Sequence, residues 1–383
     1  MITRFYVDNY KCLQNFEYKP KQFELVVGAN GSGKSTVFEA LDKVRRFVNG
    51  EDARSLFDSN SDTRWSNSPS QRFEIDCLHG QASVKYRLDI DLSSNLYRVE
   101  KEIFTVNNEV VLESSWQQNN PHEYIQEEGG SYEEHSGEIR VLISQNNPSN
   151  LKGYGLSNPN TSMMVSHFGG YFPPGIAQIH FYKLNSQLMT AQVKRPEPRP
   201  ANDLSNFASY YIYALQQQQG KMFEMMPHLK EVIPNFDSFA VEENFEEARR
   251  DLFVVCRSKE GGKSTPLRYR FDELSDGQRA LIALYALLFC TLDENTTLVI
   301  DEPENYVALR ELQPWLSLLQ ERLEEHGGQV ILISHHPEFI NALAPQTTVF
   351  ERDNGGPVRV KAFDSELAKA LAPAEIMARG WES

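Results

Sequence analysis

The chain reads as an α/β protein built on a parallel sheet, an expectation carried by three observations. Residues 297–301, 314–325 and 329–333 run strand, helix, strand, the pattern of parallel strands joined by a crossover helix. The mostly apolar run Phe23 to Val27 opens into the glycine-rich stretch Gly28-Ala29-Asn30-Gly31-Ser32-Gly33-Lys34-Ser35-Thr36, after which a helical spacing begins. A second apolar strand, Thr297 to Ile300, ends in Asp301-Glu302-Pro303-Glu304.

Taken in order, residues 2–9 and 22–28 read as strands. Lys34 to about Val48 reads as a helix, because Val37, Leu41, Val44 and Val48 share one face. From Arg72 to about Ser115 the pattern has period two, as in Phe73-Glu74-Ile75-Asp76 and Tyr86 to Leu92, with Ser93-Ser94-Asn95 as a turn. This predicts an antiparallel meander. Residues 116–175, rich in Gln, Asn, Gly, Ser and Pro, read as a long insertion around one strand at 138–144. A strand from Ile176 to Tyr182 returns the chain to the core, and the Pro-rich piece Lys194 to Pro200 is a linker. Leu204, Phe207, Ala208, Tyr211 and Leu215 are spaced for a helix. Strands follow at 236–242, 251–257 and 265–271, then a helix from Asp276 to Cys290. The helix from Pro314 to Glu325 is stopped by Gly327-Gly328.

Composition narrows the classes. The chain has 383 residues, 38 Lys plus Arg against 53 Asp plus Glu, and 40% hydrophobic residues, enough for a sizeable core and too apolar for disorder as the main state. A formal charge of −15 argues against coating nucleic acid through bulk charge. The longest apolar run, Ala280 to Cys290, is shorter than the ~18–20 residues of a membrane span. Met1-Ile2-Thr3-Arg4 leads into alternating residues and no signal peptide, so the expectation is a cytoplasmic chain that does not cross a membrane. Cys12, Cys77, Cys256 and Cys290 are scattered, supporting neither a disulfide framework nor a zinc site.

The chemistry concentrates in a few segments. Residues 28–36 fit Gly-x-x-x-x-Gly-Lys-Ser/Thr between a strand and a helix. Such a loop cradles phosphates with backbone N–H groups, Lys34 reaching the β- and γ-oxygens and Ser35 a Mg²⁺ ion. Asn30, Gly31, Gly33, Lys34, Ser35 and Thr36 are therefore the nucleotide-binding candidates. At the acidic strand end, Asp301 is the candidate for the metal shell and Glu302 for the general base that polarises water. Glu304 and Asn305 suit a turn as well as a site.

Leu274-Ser275-Asp276-Gly277-Gln278-Arg279, ahead of the apolar helix, resembles the Leu-Ser-Gly-Gly-Gln signature of ABC-class ATPases, and its place between phosphate loop and acidic strand is that family's order. The resemblance implies that Ser275, Gly277 and Gln278 bind the γ-phosphate held by an opposite subunit, making ATP the glue of a homodimer or higher homo-oligomer. On its own, the segment also reads as a capped helix start. Asp276 departs from the first family glycine, bringing negative charge toward a phosphate site. With Asp-Glu-Pro-Glu-Asn, it looks like ATPases of the OLD (overcoming lysogenization defect) type and their RecF- and SMC-like relatives. In the same resemblance His335, from Ile331-Leu332-Ile333-Ser334-His335-His336-Pro337, contacts the γ-phosphate, while His336 reads as a helix cap. Val7 to Leu13 resembles the Asn-Phe-Lys/Arg opening of SMC-like heads, making Lys11 a phosphate-facing candidate or a solvent-facing strand end. The family's glutamine loop, which senses magnesium, falls on Gln187 or, as a rival, Gln145.

The implied fold is a P-loop ABC ATPase head with a mixed central sheet, an antiparallel β subdomain and a helical lid subdomain. Its expected division is a single head over 1–383: a nucleotide-binding lobe with the β subdomain at 1–115 and 176–193, the insertion at 116–175, a helical lid at 194–235, and a signature, acidic-strand and switch-histidine lobe at 236–383. No heptad-bearing stretch separates Lys34 from Ser275, which argues against a coiled-coil arm. Glu351, Asp353 and Asp364 do not form the spaced pattern of a TOPRIM nuclease. The function implied is an ATP- and Mg²⁺-dependent switch for a separately encoded effector, such as a nuclease docked on the 116–175 insertion, or for DNA, in bacterial anti-phage defence. The alternatives are a RecF-like repair ATPase that binds DNA directly, with Lys194, Arg195 and Arg199 as its local hint, and a transporter nucleotide-binding subunit.

Overall fold

The computed structural model describes residues 1–57, 61–92, 98–118, 137–143, 175–244, 247–260, 263–363 and 372–378. Two compact units divide the chain. The first comprises Met1–Pro20, Gly28–Ile179 and Val349–Lys361; the second comprises Lys21–Val27, His180–Thr348 and Ala362–Ser383.

In the first unit the period-two segments form a seven-stranded sheet. Strand β1 (Ile2–Asp8) and the short β2 (Phe16–Tyr18) precede β3 (Phe23–Val27), which belongs to the other unit. Then come β4 (Ser70–His79), β5 (Ala82–Asp91), β6 (Arg98–Val106), β7 (Glu109–Gln118) and β8 (Gly137–Ile143). Their order is β2-β1-β4-β5-β6-β7-β8, and each neighbouring pair is antiparallel. The predicted meander is thus present, widened by β1 and β2 on one side. On the other side it gains β8, where the strand within the insertion was expected. Ser93 to Asn95, Gln145 and most of the insertion lie outside the described residues.

Helix α1 (Lys34–Val48) has the predicted bounds. Its face of Val37, Leu41, Val44 and Val48 is buried together with Phe38, Ala40 and Phe47. Phe38 stacks on Phe350 with centroids 6.3 Å apart, and Tyr18 meets Phe350 edge-on at 5.2 Å. Arg45 and Arg46 stand in the last turn, where positive charge suits the exposed carbonyls.

The second unit holds the parallel strands. From β9 (Ile179–Lys183) the chain passes through β10 (Gln192–Val193) to the helices α2 (Phe207–Gln217) and α3 (Gln219–Val232). Strands β11 (Phe236–Asn244), β12 (Arg249–Glu260) and β13 (Lys263–Arg270) then form, with β10, an antiparallel four-stranded sheet. Next come α4 (Asp276–Ala286), β14 (Thr297–Asp301), α5 (Leu309–His326), β15 (Gln329–Ile333) and α6 (Pro337–Ala342). After these, β16 (Thr347–Glu351) and β17 (Arg359–Ala362) follow. Strands β3, β15, β14 and β9 lie side by side in that order, with β3 parallel to β15 and β15 to β14. The fold is mixed α/β, with several sheets.

Several expectations need correction. The acidic strand β14 is not the neighbour of β3, because β15 lies between them. The returning strand begins at Ile179 instead of Ile176. Gly175 is left-handed at φ +108, and Ile179 N–H donates to Ile176 O at 3.2 Å, so the preceding residues bury their apolar side chains in a turn. Leu204, expected on a helix face, stands before α2 with φ +60. Helix α5 starts at Leu309 and carries Pro314 inside. An interior proline costs roughly 3 kcal/mol, and burial of Leu312, Trp315, Leu316 and Leu319 on one face offsets it. The helix predicted from Asp276 to Cys290 changes at Leu287 into a π-turn ending at Thr291. There the Trp315 indole donates to Leu284 O at 3.1 Å, an inserted donor that opens the regular ladder.

Candidate functional site

The phosphate loop is shaped by its glycines. Gly31 and Gly33 stand at φ +81 and +96, where side chains are strained. Gly33 is also tightly enclosed: a Cβ there would lie 2.3 Å from Val358 Cγ2. Ser32 N–H closes the turn on Ala29 O at 3.0 Å, and Val37 N–H takes Gly33 O at 3.0 Å as α1 begins. Lys34 Nζ folds back onto Gly28 O at 2.6 Å and Ala29 O at 3.2 Å. Asn30, Gly31 and Ser35 are exposed, and Thr36 is half-buried. Arg352, which sequence reasoning passed over, braces the loop by donating to Gly31 O at 3.2 Å.

Lys11 is neither a free cation nor a strand end. It stands in a turn at φ +48 and grips both Glu39 oxygens at 2.7 Å. Burial pushes the Glu39 carboxyl up, but the hydrogen bonds from Lys11 and Tyr10 and the nearby Lys43 charge outweigh it, leaving Glu39 below the usual carboxylate range.

In the second unit, parallel pairing brings three strand ends to one edge. Val26 pairs with Ile333, and Ile333 with Asp301. Ser334 N–H donates to Val26 O at 3.3 Å, and Glu302 N–H to Ile333 O at 2.8 Å. The chain leaves β3 at Val27 straight into the phosphate loop. Glu302 stands at φ +52, an uncommon conformation for glutamate that turns the chain sharply after β14. Its Oε2 accepts from Asn305 Nδ2 at 3.0 Å, and its Oε1 lies 3.5 Å from His335 Nδ1. Asp301, Glu302 and His335 are therefore neighbours.

Lys183, at the end of β9, reaches the same place. Its Nζ lies 2.8 Å from Asp301 Oδ2 and 3.2 Å from Glu302 Oε2. The hydrogen bond to Asp301 raises the lysine pKa against some loss from burial, and the charges of both carboxylates raise it further. For Glu302, burial acts upward, yet the bonds from Asn305 and Lys183 prevail and hold it below the usual range. Gln187 stands exposed in the 3-10 turn Ser186–Leu188; the side chain of this segment that meets the carboxylates is Lys183. Nothing local marks this lysine: it is one cation at a strand end.

Glu304 lies against the turn of Ser334 to His336. Burial pushes its carboxyl above the usual range although the Ser334 hydroxyl donates to it. Ser334 Oγ in turn accepts His336 N–H at 3.0 Å. His336 caps α6, its Nδ1 accepting Glu338 N–H at 3.3 Å, the role expected of it.

The signature segment is a reciprocal cap. Ser275 Oγ accepts Gln278 N–H at 3.3 Å, and Gln278 Oε1 accepts Ser275 N–H at 3.2 Å. The Ser275 hydroxyl proton stays available to a further acceptor. Asp276 is the first helical residue after the Ser275 cap. Arg279 Nη2 at 2.6 Å and Ser186 Oγ at 3.1 Å hold its Oδ1, which pairs the charge that the family's glycine lacks. Gly277 is required by close approach, since a Cβ there would stand 2.6 Å from Tyr306 O. Gly277→Ala is expected to displace the 303–307 turn and cost about 1–3 kcal/mol, seen as a Tm lowered by a few degrees; an unchanged melt would contradict that packing.

A phosphate loop launched from a parallel strand, an acidic strand end on the same sheet edge and a capped signature helix define an ABC-class P-loop ATPase head. The family model for the RecF/RecN/SMC N terminal domain matches residues 1–356, and the chain belongs to that family, one of ATP-binding ATPases. An uncharacterized ABC transporter ATP-binding protein of Bacillus subtilis (strain 168), YfmM, is 25% identical over 156 residues, covering 37% of this chain and 27% of that protein. The chain thus matches about a quarter of the length of this relative. Among solved structures, an SMC head bound to the C-winged helix domain of ScpA is 14% identical with a TM-score of 0.55, covering 97% of this chain and 99% of that one. An SMC head with an extended coiled coil, bound to the C-terminal domain of ScpA derived from Pyrococcus furiosus, is 12% identical with a TM-score of 0.50, covering 96% and 98%. These likenesses concern the fold. Among the described residues no helix is long and apolar enough to cross a membrane.

Proposed function

We propose that this chain hydrolyses ATP as a homodimeric switch of the OLD type and that it commands a separately encoded effector in anti-phage defence. The observation that carries the catalytic part is the grouping of Asp301, Glu302 and His335 at the sheet edge where β3 feeds the phosphate loop. Asp276, followed later by Asp301-Glu302-Pro303-Glu304-Asn305, supports the OLD-type reading.

In this reading Lys34 leaves its two loop carbonyls for the β- and γ-phosphate oxygens, which attract it more strongly. Among the described residues no group of three or more His, Cys, Asp and Glu could hold a metal. A hydroxyl and a carboxylate are nevertheless the donors that suit a hard cation arriving with phosphates and water. Ser35 and Asp301 would hold Mg²⁺, with Gln187 as the glutamine-loop candidate; the ion supplies charge neutralisation on the transferred phosphoryl group. Glu302, kept ionised, accepts the proton of the attacking water. His335 donates to the γ-phosphate, and Lys11, tied to Glu39, has a supporting role beside the loop. Ser275, Gly277 and Gln278 of a second copy close on the same phosphate with a hydroxyl and helix N-terminal N–H groups.

The test is Mg²⁺-dependent ATP turnover by the wild type and by Glu302→Gln. The variant is expected to retain ATP binding and lose about 100-fold or more of its turnover. Equal turnover in both would remove Glu302 from the chemistry.

A further inference from the structure

We propose that Lys183 is a built-in counter-ion that bridges Asp301 and Glu302 and competes with a divalent metal for Asp301. The claim rests for its purpose on the nucleotide-site reading above; the contacts behind it are local to the second unit. Lys183 Nζ bonds Asp301 Oδ2 at 2.8 Å and Glu302 Oε2 at 3.2 Å, so one ammonium bridges both carboxylates. A metal ligated by Asp301 would meet that ammonium at contact distance, and the two cations repel. One of them must leave.

The lysine is the movable partner. Its side chain is 62% exposed, whereas those of Asp301 and Glu302 are 29% and 25% exposed. Glu302 is further fixed by Asn305, by its N–H bond to Ile333 O and by its left-handed backbone. The segment after Lys183 also meets the signature helix and the turn before it. Ser186 Oγ bonds Asp276, Met189 O accepts from Arg279 Nη1 at 3.1 Å, and Ala191 N–H donates to Asp272 Oδ2 at 3.3 Å. Only Leu184 and Asn185 therefore separate Lys183 from the first contact with the signature helix.

The experiment measures Mn²⁺ affinity of the full chain by electron paramagnetic resonance, without nucleotide and with ATPγS. Lys183→Met removes the charge at equal length, Lys183→Gln guards against misfolding of the first variant, and Lys183→Arg keeps the charge. Both neutral variants are expected to bind Mn²⁺ about three- to tenfold tighter than wild type in either arm. Lys183→Arg should stay near wild type, and adding Asp301→Asn to Lys183→Met should abolish the gain. Unchanged, weaker or undetectable Mn²⁺ binding by the neutral variants in the nucleotide-free arm overturns the proposal, as does a gain that survives Asp301→Asn. Failure of the wild type to bind ATPγS would sink the nucleotide reading while leaving the nucleotide-free arm to decide the role of Lys183.

Discussion

Lys34→Ala is expected to weaken binding of a fluorescent ATP analogue by about 100-fold or more, with little change in Tm. The asymmetry follows from what the ammonium does in each state. In the structure it satisfies two carbonyls of its own loop, Gly28 O and Ala29 O, and the loop's shape is secured independently by Gly31 and Gly33, by the Ser32-to-Ala29 turn and by Arg352 on Gly31 O. Losing two partly exposed bonds costs the fold little. Losing the cation proposed to reach the β- and γ-phosphates would remove charge-assisted bonds worth about 1.5–3 kcal/mol each, and every ~1.4 kcal/mol is tenfold in affinity. Affinity within about threefold of wild type would mean that phosphates do not bind at this loop. A large fall in Tm would instead assign Lys34 to the fold.

Ser275→Arg, in a Glu302→Gln background that preserves bound ATP, is expected to abolish ATP-driven self-association in sedimentation while leaving ATP affinity nearly intact. Ser275 caps α4 through Gln278 N–H, so the arginine also removes a cap worth about 1 kcal/mol. A second variant separates the two effects. Ser275→Asp keeps a good capping oxygen yet directs negative charge at an incoming phosphate. Both variants should block assembly, and only the arginine should lower Tm. Self-association that persists in both would refute the sandwich through Ser275; loss in the arginine variant alone would trace assembly to the cap.

Local pattern was enough for the elements whose cause is local. Helix α1 has the predicted bounds because Gly33 releases the chain from the loop and an apolar face every three to four residues continues to Val48. The strands Thr297–Asp301 and Gln329–Ile333 are short apolar runs bounded by turn residues, and both were read to the residue. The glycine positions of the phosphate loop, the acidic strand end and the Ser-to-Gln cap of the signature are likewise written within a few residues, where backbone conformation and hydrogen bonding are decided between near neighbours. Tertiary structure decided the rest. Short or weakly patterned pieces such as β2, β16 and β17 carry no comparable local signal. That β15 separates β3 from β14 is a matter of pairing partners, and hydropathy sets a strand's face but not its neighbour. The resemblance pointed to Gln187 from its place after a strand, but no spacing pointed to Lys183, which meets Asp301 across 118 residues of chain, or to Ser186, which meets Asp276 across 90. An ion pair between a strand end and a distant strand end has no period and no spacing: it exists only once the sheet sets β9 beside β14, and only then does a lone lysine acquire a site.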